Sequence, residues 1–371
     1  MRRLFKSFRL EVIPVPGRVI ALIFFIFLFI FPLITQHTYY VRMLTYCSIF
    51  AIFAVSWDLL AGYTGQMNFG HALFFGVAAY TSALLFKYLH WLPERTIPLG
   101  VLAAVAAGGI TCFPALRLRG SYLALLTLAF PIMLMGVAMS LRDYTGGESG
   151  IDLLLPIAST RVGEYYICLI VMIVSVLIMW KLTDAGSRYV RTGLIFHAIR
   201  EDEIAARATG INTIRYKLLA FAVGGLFAGI AGALYAHVRG AVGPSSTLGL
   251  TMSFQAVIWV IFGGIVSIYG GVVGVYILYP LVYLATNVQF LLTDIYESLP
   301  KSPLRAIVEF LTRLADFPLL ILAVIVIVVL LFMPEGIAVW IRDKMEQECP
   351  RCKLTNGAWR RECRACGASL R

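Results

Sequence analysis

Charge is scarce in this sequence. Only 14% of its 371 residues are Asp, Glu, Lys or Arg, against 60% hydrophobic, and the mean hydropathy is +0.84. A soluble globule has no interior large enough for that much apolar side chain, so the chain reads as an integral membrane protein. Period-2 alternation is missing from its apolar runs, which argues against an outer-membrane barrel. No small-residue cleavage site follows the basic N-terminal MRRLFKSFRLEVIPVPGR. The apolar run after it exceeds a signal-peptide core and is read as a retained first helix. A G-x-x-x-x-G-K-[ST] loop is absent, so the chain cannot cradle nucleotide phosphates itself. There is no H-E-x-x-H, and the five histidines (His37, His71, His90, His197, His237) are scattered, which removes a zinc-dependent membrane protease. Asp58 in SWDLL is the one acid well inside an apolar run, so the carboxylate relays common in ion-coupled carriers are missing. It reads as structural, either protonated or bonded to backbone. A stand-alone channel for a small amide stays open on physics alone.

What is present is helix-length apolar sequence. Runs such as VIALIFFIFLFIFPLI and LLILAVIVIVVLLFM have about the length needed to cross a hydrocarbon core of roughly 30 Å. Apolar segments begin near residues 19, 44, 69, 98, 121, 164, 218, 251, 275 and 317. The expected fold is therefore all-α, with about ten transmembrane helices in two related halves and a small cytoplasmic tail. Residues 1–18 form a basic N-terminus, 19–340 the transmembrane domain with a polar loop at 183–217, and 341–371 the tail. Basic and acidic residues number five and one in 2–18, two and none in 115–120, seven and four in 181–217, and eight and five in 335–371. Nearly all of the net +11 thus lies on one set of loops, and the positive-inside rule makes that side, with both termini, cytoplasmic. The basicity reports topology; no interleaved aromatic and basic groove suggests nucleic acid.

AGYTGQMNFGHALFFG interrupts the second apolar region with glycines and polar side chains. Backbone freed from a helix cannot stay unpaired in lipid, so it must line a buried or water-filled cavity. Tyr63, Thr64, Gln66, Asn68 and His71 offer donors and acceptors without fixed charge, suited to a small polar or zwitterionic solute. The competing reading is that they bond to each other and to carbonyls and hold two helices together. A second break, GAVGPSSTLG, shares the Gly-x-x-Gly start, as in transporters built from repeated halves. The glycines of VGGLFAGIAGALYA fit close helix packing. In YTGGESGI, Thr145, Gly146 and Gly147 could form an anion-binding nest for a carboxylate, or a plain turn. REDEIAARA, within 183–217, reads as a helix ended by Gly210. SPLRAIVEFLTRLADF reads as a helix along the outer surface or a packed loop helix.

GYTGQMNFGHALFFGVAAYTSALL, PALRLRGSYLALLTLAF, YTGGESGI, AIREDEIAARATGINTIRYKLLAF with AGIAGALYAH, and GGIVSIYGGVVG resemble, in order, the inner-membrane permease of branched-chain amino acid ATP-binding-cassette importers. The resemblance covers roughly 18–340. It implies a prokaryotic inner-membrane transport subunit, not an enzyme, on the path for branched-chain amino acids. Its implied partners are a sister permease, two cytoplasmic ATPases and an extracytoplasmic substrate-binding protein. The family usually has leucine at Met67 and serine at Asn68; a sister branch carrying urea and short amides usually has leucine at Gln66. By resemblance, 199–210 is the coupling helix that docks on an ATPase, with Arg200, Glu201 and Glu203 as rim charges, Ile204 and Ala205 packing, and Gly210 allowing the exit.

Seven cysteines fall into two sets. Cys47, Cys112 and Cys168 sit singly in apolar helices as small filler. Cys349, Cys352, Cys363 and Cys366 form two C-x-x-C pairs separated by ten residues, a tetrahedral structural zinc pattern resembling zinc ribbons. Four thiolates leave no open coordination position, and cytoplasmic placement argues against disulfides.

Overall fold

The computed structural model of the chain describes residues 16–35, 37–115, 120–152, 154–184, 191–298 and 318–350 and, in the tail, 355–359, 361–363, 366 and 368–370. Helices α1 (Pro16–Ile34), α2 (Thr38–Ala61), α3 (Ala72–Leu89), α4 (Pro93–Ala115), α5 (Ser121–Ser140) and α6 (Arg142–Thr145) come first. Strand β1 (Ile151–Asp152), α7 (Arg161–Thr183), α8 (Thr192–Glu201), α9 (Glu203–Ala208) and α10 (Thr213–Arg239) follow. Next are β2 (Ala241–Val242), α11 (Pro244–Thr247), α12 (Leu250–Gly263), α13 (Ile268–Ser298), α14 (Pro318–Phe332), α15 (Ile337–Met345), β3 (Glu346–Glu348) and β4 (Thr355–Gly357).

Seven helical stretches are long and apolar enough to cross a membrane: Thr38–Ala61, Ala72–Leu89, Tyr122–Ser140, Arg161–Thr183, Thr213–Arg239, Pro244–Gly263 and Ala323–Met345. Val19–Ile34 and Ile268–Leu284 are shorter apolar helices. The expected all-α membrane fold is present, whereas the count of ten spans is not reached by length and composition among the described residues. The segment expected as a surface helix, SPLRAIVEFLTRLADF, lies outside the described residues.

Helix α2 is the axis of the bundle. It is apolar around its whole circumference, the signature of a helix enclosed by others, and nearly every residue from Val41 to Ala61 is buried. Helices α7, α10, α12 and α13 pack on it. Helix α10 comes close to its neighbours because its facing positions lack side chains. A Cβ on Gly232 would overlap the carbonyl of Phe75 in α3, and one on Gly229 would press on Ala104 in α4. This is the small-residue packing expected from VGGLFAGIAGALYA. Cys47 and Cys168 are buried filler, as expected.

Contacts sort the elements to two ends of the bundle. At one end Gly65 lies against Arg200 of α8, and Asp58 of α2 holds the turn between α12 and α13. That turn meets α15, since Gly264 abuts Val339. Glu346 of β3 in turn accepts from the N–H of Gly17 at the start of α1. At the other end the 143–144 carbonyls accept from Lys87 and Tyr88 of α3, and β1 pairs antiparallel with β2.

Candidate functional site

The glycine-rich stretch after α2 is non-helical from Gly62 to His71 and doubles back along the helix it leaves. Trp57 Nε1 donates to the Asn68 carbonyl at 2.6 Å, and His71 reaches Ser56 Oγ at 2.8 Å. Ser56 is five residues before the end of α2, about 7.5 Å at 1.5 Å per residue, so α3 begins well inside the bundle. Such irregular backbone is tolerated at depth because protein covers it. Gly65 supplies the backbone it needs, with φ +68, a region open to glycine at little steric cost.

All five polar side chains singled out here are buried: Tyr63, Thr64, Gln66, Asn68 and His71. Their bonds divide them. Ser56 donates to the Phe53 carbonyl at 2.7 Å, so its oxygen accepts from His71 Nε2. His71 Nδ1 then faces Asn68 Nδ2 at 3.5 Å, and Asn68 Oδ1 accepts from Gly70 N–H at 2.9 Å. The imidazole is flanked by Phe53 and Phe74. This chain of bonds is closed, and it fits a neutral imidazole that braces the break. Thr64 donates to the Leu60 carbonyl at 2.6 Å. Gln66, 8% exposed, uses one amide donor on the Thr64 carbonyl at 3.3 Å. Its neighbours Gly65 and Met67 are the exposed residues of the stretch.

Three partners of the break carry no local signal in the sequence. Thr127 of α5 accepts from Phe69 N–H at 3.2 Å, Ser253 of α12 accepts from Ala72 N–H at 3.0 Å, and Ser56 anchors His71. The second break, GAVGPSSTLG, comes to the same place: a Cβ on Gly76 would overlap Leu248 and meet the Thr247 carbonyl. The two glycine-rich segments therefore converge on the first turns of α3. Asp58, wholly buried, accepts from Val266 N–H at 2.8 Å and Ser267 N–H at 3.1 Å. Of the two expectations for this carboxyl, protonation or a bond to nearby backbone, the backbone bond is present, but to residues 208 and 209 positions on in the chain. Val266 has φ 61, a strained value for a β-branched residue.

The polar loop touches the break directly. Arg200 lies against Gly65, and the His197 ring packs edge-on to Tyr63 at 5.4 Å. Burial, then the positive charge of Arg200, hold the His197 imidazole below its ordinary pKa, with Glu201 opposing. The loop is two helices where one was expected. Asp202 is extended and its Oδ1 accepts from Ile204 and Ala205 N–H at 2.8 and 3.1 Å, an N-cap that starts α9 afresh. Glu203 is turned inward: it bonds Arg207 at 2.6 Å and Lys217 at 2.8 Å, the latter 3% exposed. Arg200, Glu201, Ile204, Ala205 and Gly210 are exposed, Ile204 at 67%, and Gly210 has φ +87.

In YTGGESGI, Thr145 is buried and donates to the carbonyls of Ala138 and Leu141. The N–H of Gly146 goes to the Arg142 carbonyl at 2.9 Å and that of Gly147 to Thr145 Oγ1 at 3.2 Å. Both donors are thus used inside the loop.

In the tail, β3 pairs antiparallel with β4. The Sγ atoms of Cys349, Cys363 and Cys366 all lie within 4.8 Å of one another, with the first two residues buried. Asn356 Nδ2 lies 3.6 Å from Cys363 Sγ. Three soft ligands in that space fit a metal ion. Cys352, expected as the fourth ligand, lies outside the described residues.

Residues 39–293 match the family model described as the branched-chain amino acid transport system / permease component. The chain is similar to the high-affinity branched-chain amino acid transport system permease protein LivM of Salmonella typhimurium, 31% identical over 256 residues, 61% of this chain and 59% of that protein. It is also similar to BraD of Pseudomonas aeruginosa, 27% identical over 62% of this chain and 79% of that protein. LivH of Escherichia coli is 26% identical over 60% of this chain and 76% of its own length. The chain thus spans about six-tenths of the LivM relative. No solved structure matches it. The four tail cysteines lie beyond the matched segment.

Proposed function

The chain belongs to the family of permease components of branched-chain amino acid transport systems, and on that premise we propose that it is a permease subunit of an ATP-driven importer of branched-chain amino acids. The observation that carries the coupling is the contact between loop and break: Arg200 on Gly65 and His197 on Tyr63. A chain without a nucleotide loop must receive ATP energy from partners. A docking segment lying on the non-helical break is the shortest route by which an ATPase could move it. The partners are a sister permease, two cytoplasmic ATPases and an extracytoplasmic binding protein, in a prokaryotic inner membrane.

The basic segments 2–18, 115–120, 181–217 and 335–371 face the cytoplasm, with both termini. Arg200, Glu201, Ile204, Ala205 and Gly210 form the ATPase-facing surface, while Glu203 fixes α9 to the base of α10. Tyr63, Thr64 and Gln66 line the inner end of the path, with Asn68 and His71 holding their backbone. Thr145, Gly146 and Gly147 shape the outer loop that receives the binding protein. The tail binds one structural zinc through Cys349, Cys352, Cys363 and Cys366. Deleting the gene in its own host tests the assignment: uptake of labelled leucine, isoleucine and valine falls to background and returns with the intact gene. Unchanged uptake of all three refutes it.

A further inference from the structure

The cysteine tail touches the bundle at two places, and both lie on the helix and strand that lead into its first cysteine. Strand β3 ends at Glu348, next to Cys349, and pairs with β4, Glu346 opposite Gly357 and Glu348 opposite Thr355. Glu346 Oε1 accepts from Gly17 N–H at 3.0 Å, 329 positions away in the chain. Gly17 is in the first turn of α1, where a backbone N–H has no acceptor inside its own helix. A carboxylate there satisfies the donor and suits the positive end of the helix dipole. The tail thus caps α1.

The second contact belongs to α15, which runs without a gap into β3 and packs on α1 and α13. Its N-cap Gly336 lies backbone to backbone on the turn between α12 and α13, where an added Cβ would overlap Gly264. One turn on, Val339 abuts Gly264, and Arg342 Nη1 donates to Tyr269 Oη at 2.9 Å. From the other side the Asp58 carboxylate holds the same turn through Val266 and Ser267 N–H. Asp58 is in the last turn of α2, and its carbonyl accepts from Gly62 and Tyr63 N–H, where the break begins. The turn therefore sits between the helix of the tail and the anchor of the break.

Residues 346–371 are too few to bury a core of their own, and small metal-binding pieces of this kind fold with their ion and unfold without it. The hairpin is tied to α15 by Ala358 N–H on the Met345 carbonyl at 2.8 Å. Asn356 of β4, wholly buried, reaches Cys363 Sγ. The sulfurs of Cys349, Cys363 and Cys366 lie within 4.8 Å of one another, and as thiolates they repel unless a cation joins them. Glu346 keeps its place on Gly17 only while this hairpin is formed.

We infer that the tail is a metal-responsive staple. With a soft divalent ion such as zinc among its thiolates, it fixes the start of α1 and the α12–α13 turn; when the ion is lost it lets go of both. Release of the turn loosens the backbone that Asp58 grips, and with it the start of the break, so metal supply decides whether the inner end of the path is held in place. The inference rests on zinc occupying the tail, which is part of the proposed function.

Amide hydrogen exchange on the full-length protein in detergent tests it, because the amides concerned are the ones in these bonds. The protein is compared as purified, after stripping with a chelator that is then removed, and after zinc is returned. Exchange at Gly17 and at Val266 and Ser267 should rise by about tenfold or more on stripping, as for a local opening, and fall back with zinc. Residues 50–55, in the middle of α2, should stay protected. Glu346→Gln should keep its zinc by elemental analysis and raise exchange in the first turn of α1 alone, because an amide oxygen accepts less strongly than a carboxylate. In the reconstituted assembly the stripped chain should lose leucine uptake that zinc restores. Bound zinc whose removal leaves both places and uptake unmoved overturns the inference and leaves the zinc assignment standing. If stripping exposes α2 as well, Glu346→Gln decides, and an unchanged first turn of α1 overturns the inference. Absence of zinc from the purified protein overturns both.

Discussion

His71 and Gln66 sit five residues apart in one irregular segment, yet the structure gives them different work. His71 is bonded on both ring nitrogens and wholly buried. His71→Ala should therefore lower stability by about 2 kcal/mol or more, since it strands Ser56 and Asn68 without a partner. Thermal unfolding of the purified protein in detergent measures this. Gln66→Ala removes one long bond at 3.3 Å. It should leave the unfolding temperature close to the parent's and still reduce uptake, and equal uptake would return Gln66 to a structural role. Asp58 makes a third case. Its two oxygens each accept one backbone N–H, so Asp58→Asn presents an amide donor to a donor and should cost about 2 kcal/mol. Replacing Val266 by glycine in that background should recover part of the cost, because its φ of 61 suits glycine. A full-strength defect with no recovery would contradict the view that Asp58 holds this turn.

At the scale of elements, the loop between α7 and α10 shows how far sequence reasoning reaches. Its helical character and its glycine exit at Gly210 are legible from spacing and residue type. The break at Asp202 is not read by periodicity, although an Asp ahead of Glu-Ile-Ala-Ala is an N-cap signal in retrospect. The inward turn of Glu203 depends on Lys217, fourteen positions away, and no local pattern shows it. The surface available for docking follows: Ile204 is the exposed apolar residue at its centre. Ile204→Asp should abolish co-purification of the ATPases while leaving membrane insertion and unfolding within about 0.5 kcal/mol of the parent. Reversal of Glu203, in contrast, should destabilise α9 itself. The glycine-rich breaks were legible as breaks, because glycine and polar residues inside an apolar run have few other uses. Their convergence on α3 was not, since Gly76 meets Leu248 through tertiary packing alone.

At the scale of the whole molecule, a membrane domain matching a permease family carries a cysteine tail beyond the matched segment. The tail is joined to the bundle: Glu346 accepts from Gly17 N–H at 3.0 Å, and α15 packs by Val339 on the turn held by Asp58. The purified full-length protein should contain about one zinc per chain, and Cys363→Ser should lose it, because a structural site needs its four ligands. Elemental analysis of both proteins decides this.

The proposed function requires that transport of branched-chain amino acids through this chain depend on ATPases. Reconstituted with the proposed sister permease, ATPases and binding protein, it should accumulate labelled leucine inside proteoliposomes when ATP is supplied, and not when the ATPases carry a substitution that blocks hydrolysis. Leucine entry at the same rate without ATP hydrolysis would contradict the account and make the chain a channel.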